Sequence, residues 1–93
     1  MITHVVLFKF KDPANTTEAK ERLMALKGKI PQLRHLEVGI DVVRSERSYD
    51  LALVSNFDSL EDLNAYQIHP DHQEVVKYIL EVKESVIAVD YES

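Results

Sequence analysis

Cysteine is absent from this 93-residue chain, glycine occurs twice and proline three times. Without cysteine there is no disulfide framework, no thiolate nucleophile and no cysteine-ligated zinc. With glycine only at Gly28 and Gly39, there is no phosphate-cradling loop and no Gly-x-Ser-x-Gly nucleophile elbow. Basic residues are in short supply, 11 against 16 acidic ones, for a formal charge of −5. That balance argues against a nucleic-acid partner, because such proteins present a basic patch. No apolar run is long enough to cross a membrane. The amino-terminal "MITHVVLFKFKD" has neither a basic leading region nor a small-residue cleavage site, and Lys9 interrupts it, so it does not read as a signal peptide. The expectation is a cytoplasmic protein with no membrane partner. The length fits a single domain over residues 1–93, small enough to lean on a partner for burial.

Periodicity gives the order of elements. In "ITHVVLFKFK" from Ile2, the residues His4, Val6, Phe8 and Phe10 share one face and Thr3, Val5, Leu7 and Lys9 the other, which predicts a strand. After the loop of Asp12, Pro13, Ala14 and Asn15, Thr16 or Thr17 is placed to cap a helix reaching about Lys29. Its apolar positions are Ala19, Leu23, Leu26 and Ile30, and Pro31 ends it. Leu36, Val38, Ile40 and Val42 alternate with Glu37, Gly39 and Asp41, a second strand. "RSERS" is a polar turn, and Tyr49 to Phe57 is a third strand, apolar on both faces in its middle. Ser59 with Asp62 resembles a capping box for a second helix that carries Leu60, Leu63 and Tyr66 inward. Pro70 breaks that helix and suits the first position of another, running to about Lys83 with Val75, Val76, Ile79 and Leu80 apolar. "VIAVDY", Val86 to Tyr91, is the last strand.

Strand, helix, strand, strand, helix, strand is the ferredoxin-like split βαβ order, an α+β fold with a four-stranded antiparallel sheet. Right-handed crossovers place the helices on one face of that sheet. The other face would expose Val5, Leu7 and further apolar rows from the third and fourth strands. A monomer rarely leaves so large an apolar patch in water. A second copy laid sheet against sheet would cover it, so a homodimer through the open sheet face is expected.

"YQIHPDH", residues 66–72, gathers a tyrosine and two of the four histidines around Pro70. Tyr66 continues the inward stripe of Leu60 and Leu63. His69 falls at the bend, where bonding to a freed backbone group is its expected role. His72 falls in the first turn of the new helix, where the positive helix end would keep its imidazole neutral. His4 shares its face with Val6 and Phe8. A histidine there is most often a hydrogen-bonded core residue, yet Tyr66 and His72 can converge on it across a cavity between the second helix and the sheet. Apolar walls with a few polar groups are typical of a small-molecule site. His69 and His72 with Asp71 between them are too few for a zinc site, and no His-Glu-x-x-His or EF-hand pattern occurs, so no metal and no cofactor are expected.

"HVVLFKFKD", "AYQIHPDH" and "VIAVDYE" together resemble the stress-responsive dimeric α/β-barrel family, abbreviated Dabb, over nearly the whole chain. The resemblance implies ferredoxin-like domains paired into a dimeric barrel. Some plant members are linked to stress tolerance. Plant polyketide cyclases of the family use a tyrosine and a histidine of this element, which correspond to Tyr66 and His72 here, with His4 nearby. Where cyclase-like members place further polar or aromatic pocket groups, this chain has Leu23 and Leu51. The periodicity and the resemblance together imply a ligand-binding set of His4, Val6, Phe8, Leu23 and Leu51. Two functional classes follow. One is a cofactor-independent cyclase or lyase in which His72 removes a proton next to a carbonyl and Tyr66 donates a hydrogen bond. The other is a non-catalytic, stress-related module that binds a small hydrophobic ligand or a partner protein.

Overall fold

The computed structural model describes all of residues 1–93. Strand β1 covers Ile2–Phe10, and a single 3₁₀ turn at Pro13–Asn15 leads into helix α1, Thr16–Met24. Strands β2, His35–Ile40, and β3, Leu51–Phe57, form a hairpin. Helices α2, Leu60–Ile68, and α3, Pro70–Val82, follow, and β4, Lys83–Glu92, closes the chain. The sheet is antiparallel with order β2-β3-β1-β4. This is the ferredoxin-like arrangement expected from the order of elements.

The alternation read along β1 is observed. His4, Val6, Phe8 and Phe10 are buried under the helices, while Val5, Leu7 and Lys9 on the open face are only half-buried. Register carries the pattern across the sheet. Val5 lies opposite Val54 of β3 and Val89 of β4, and Leu7 lies opposite Ala52 and Ile87. The open face is therefore an apolar band three strands wide.

Several boundaries differ from expectation, each for a local reason. α1 stops at Met24, not near Lys29, because the chain tightens into i→i+3 bonds, Leu26 N–H to Leu23 O and Lys27 N–H to Met24 O, both 3.1 Å. Gly28 then takes φ +82, a conformation that favours glycine. Leu26 and Ile30 stay buried even so. Asn15, not a threonine, occupies the cap position of α1, and its side chain makes no capping bond. β2 ends at Ile40 because Asp41 folds back to accept from Arg44 N–H at 2.7 Å, which leaves Val42 90% exposed. β3 begins at Leu51 because Asp50 is used otherwise. Its carboxylate accepts from Phe10 N–H and from the Arg44 guanidinium, each at 2.8 Å. Burial raises the Asp50 pKa, but the Phe10 N–H, Arg44 and Lys9 outweigh it and hold the carboxyl below its ordinary value. Leu60, expected inward, is 60% exposed at the start of α2, and Leu80 of α3 is also exposed. β4 is longer than "VIAVDY" at both ends.

Candidate functional site

The site is built around the junction of α2 and α3. Pro70 supplies no N–H, and His69 before it is extended, at φ −62 and ψ 136. In an unbroken helix the Asp71 N–H would bond the Gln67 carbonyl four residues back. Here it donates instead to Nδ1 of His69 at 3.1 Å, so His69 caps α3. The freed Gln67 carbonyl accepts from Gln73 Nε2 at 2.8 Å and from Nδ1 of His72 at 3.1 Å. A carbonyl can only accept, so the hydrogen of a neutral His72 ring sits on Nδ1 and the lone pair on Nε2.

Tyr66 holds the other side of the His72 ring. The two ring centroids are 4.4 Å apart and tilted by 50°, and Tyr66 in turn lies 4.9 Å from Phe57 of β3. Tyr66 is 1% exposed, and burial pushes its hydroxyl up to about 12, so it remains a donor at neutral pH. His72 lies below its ordinary value. The expected cause was the positive helix end, but burial is the largest one, assisted by charge repulsion from His4 and His69 and opposed by the Gln67 carbonyl.

Tyr66 and His72 stand at one end of a cavity of about 330 Å³. It lies mainly under α3, along β1 and β4, with Tyr66 and Gln67 of α2 on its wall. Its floor is His4, Val6 and Phe8 of β1 with Leu53 of β3, and Val75, Val76 and Ile79 of α3 form its roof. Leu23 of α1 reaches the wall as expected. Leu51 does not. It is 2% exposed in the core opposite Phe8 and Ile40, and β3 reaches the cavity only at Leu53, two residues further on.

His4, the one polar residue on the buried face of β1, donates from Nδ1 to the carboxylate of Asp90, directly opposite it on β4. This leaves Nε2 of His4 as the acceptor of its neutral ring. Asp90 was not singled out in the sequence, although a signal existed: it shares the alternation of Val86 and Ala88 and is therefore an acid on the inward face of the last strand. Gln67 and Lys83 are the other polar wall residues that the sequence reading missed. Nowhere are three or more His, Asp or Glu side chains grouped so as to hold a metal ion, and no helix is long and apolar enough to cross a membrane.

Comparison with known proteins gives a consistent picture. The family model described as Stress responsive A/B Barrel Domain matches residues 2–93. A stress-response A/B barrel domain-containing protein of Arabidopsis thaliana is 34% identical over 95 residues, covering 98% of this chain and 36% of that protein. This chain thus spans about a third of that relative's length. A dimeric ferredoxin-like protein of unknown function from Bacteroides fragilis superposes with a TM-score of 0.88 at 37% identity, covering 99% of this chain and 95% of that one. A hydroxynitrile lyase from Passiflora edulis superposes with a TM-score of 0.83, covering 97% and 90% of the two chains, but at 18% identity it speaks for the fold alone.

The capping geometry makes His69 separable from the cavity. His69→Asn should change stability by no more than about 1 kcal/mol, because asparagine also caps well, whereas His69→Ala should cost about 1 kcal/mol. Urea unfolding of the two variants checks this. A larger loss for the asparagine variant would show that the His69 ring does more than cap α3.

Proposed function

The chain belongs to the stress-responsive A/B barrel (Dabb) family, and from that premise we propose that it works as a homodimer whose cavity under α3 binds a small hydrophobic carbonyl compound. The dimer reading is supported by the open sheet face, where Ile87, Val89 and Tyr91 of β4 are exposed beside half-buried Val5 and Leu7. It is supported as well by the dimeric ferredoxin-like relative. Apposing two such faces removes from water the kind of continuous apolar patch that monomers rarely expose. Leu7→Asp should dissociate or unfold the protein, because it puts an unpaired charge into the covered face. Light scattering at micromolar concentration checks this, and a stable wild-type monomer would refute the dimer.

The observation that carries the ligand reading is the convergence of Tyr66, His72 and His4 on one apolar cavity. A neutral His72 with its lone pair on Nε2 is suited to remove a proton from the carbon next to a bound carbonyl. The electron pair of that C–H bond moves towards the carbonyl oxygen, and the Tyr66 hydroxyl donates a hydrogen bond to the charge developing there. Returning a proton from His72 to carbon re-forms the carbonyl compound, restores the neutral ring and completes an exchange of the α-hydrogen that needs no cofactor. The His4–Asp90 pair fixes the opposite wall and offers a second ring nitrogen to a polar group of the ligand.

Deuterium exchange tests this reading. A methyl ketone with an apolar tail, such as 4-phenylbutan-2-one, should exchange its α-hydrogens in D₂O faster with the protein than without it. His72→Ala should slow that exchange by about 10²-fold, the scale of a lost general base. Tyr66→Phe should slow it by about tenfold, the scale of one hydrogen bond. Saturable binding of the ketone with no exchange above background would leave the non-catalytic reading of the module in place of the enzymatic one.

A further inference from the structure

The cavity has a far end with a different chemistry. Register on β1 and β4 pairs His4 with Asp90 at one end and Phe10 with Lys83 at the other. His4 and Phe10 are six positions apart on β1, or about 20 Å along the strand. Between the two ends the walls are apolar: Val6 and Phe8 below, Ile79 above, Val86 and Ala88 along the edge. Lys83 is the single lysine or arginine on that wall, and it is half-buried. It sits where α3 ends and β4 begins, with extended φ −70 and ψ 143, so the backbone turn fixes the root of its side chain.

The charge of Lys83 has no partner in the chain. Glu84, its neighbour, is paired with Lys9 at 3.9 Å. Asp90, the only carboxylate on the cavity wall, is held by His4 at the other end. A cation brought against apolar walls is disfavoured unless an anion meets it. An ammonium on a flexible four-carbon stem can reach along such a wall to an anionic group.

We infer that Lys83 is the anion-binding residue of this cavity and that its ligand is an elongated oxo acid. The carboxylate meets Lys83, the apolar body lies along Phe8, Ile79 and Val86, and the carbonyl reaches Tyr66 and His72. This rests on the small-molecule reading given above and adds the ligand's polarity and direction. Lys83 acts in it as a specificity residue, remote from the proton transfer.

Octanoate and 1-octanol separate the two ideas, since they share an apolar chain and differ in charge. Each is titrated into the wild-type protein, Lys83→Gln and Ala88→Phe, with binding followed by backbone amide shifts in nuclear magnetic resonance spectra. The wild type should bind octanoate at least about tenfold more tightly than octanol, as one charge-assisted hydrogen bond allows. Lys83→Gln should abolish that preference and leave octanol binding within about twofold, while Ala88→Phe, which fills the cavity, should weaken both. Equal binding of both probes to the wild type, blocked by Ala88→Phe, would overturn the role of Lys83 and keep the cavity. Equal weakening of both probes by Lys83→Gln would make Lys83 a packing residue and overturn the inference. Binding of neither probe to the wild type would overturn the cavity reading and this inference together.

Discussion

The carbonyl of Gln67, released from helical bonding by Pro70, is the group on which the candidate site depends. It accepts from the His72 ring at 3.1 Å and from Gln73 at 2.8 Å, and so ties the start of α3 to the end of α2. One local fact, the extended backbone that Pro70 imposes on His69, sets three others. Asp71 must find a new acceptor and takes His69. The Gln67 carbonyl must find new donors and takes His72 and Gln73. His72, held through Nδ1, then presents Nε2 as its basic nitrogen. With Tyr66 packed between His72 and Phe57, the junction becomes a rigid corner of the cavity.

That corner works because the two faces of the sheet have different tasks. The helix-covered face carries the core and, along β1 and β4, leaves space under α3 for a cavity. The open face carries a second apolar band that a single chain of this size has no element left to cover. β4 serves both. Val86, Ala88 and Asp90 look towards the cavity, and Ile87, Val89 and Tyr91 look the other way. In the proposed dimer, covering Ile87, Val89 and Tyr91 would steady the strand that holds Asp90 against His4 on its other face.

Much of this was legible in the sequence, and what was not has physical causes. Alternation in β1 is strict, so its two faces were assigned correctly, and Pro70 marked the helix junction without ambiguity. The capping role of His69 followed from knowing that a broken helix leaves backbone groups to satisfy. The early end of α1 was not legible because Leu26 and Ile30 are buried whether the chain is helical or in tight turns, so apolar spacing alone cannot show where the helix stops. Leu60 kept the spacing of an inward residue but lies in the first turn, outside the reach of the sheet. Leu51 was placed on the cavity through resemblance, and only the register showed that β3 meets the cavity at Leu53. Asp90 was missed because a single acid in a strand looks like a solvated one until its cross-strand partner is known to be His4.

The role of His72 can be read from the state of its ring. Long-range proton–nitrogen correlation spectra recorded across pH report which ring nitrogen carries the hydrogen and where the ring titrates. Neutral His72 is expected to carry its hydrogen on Nδ1 and to gain its second proton below the ordinary imidazole value of 6.5. The sign for stability follows: the unfolded chain binds that proton first, so stability is full above the unfolded value and falls as pH drops through the lowered folded one. A hydrogen on Nε2, or titration at or above the ordinary value, would contradict a His72 held by the Gln67 carbonyl and poised as a base.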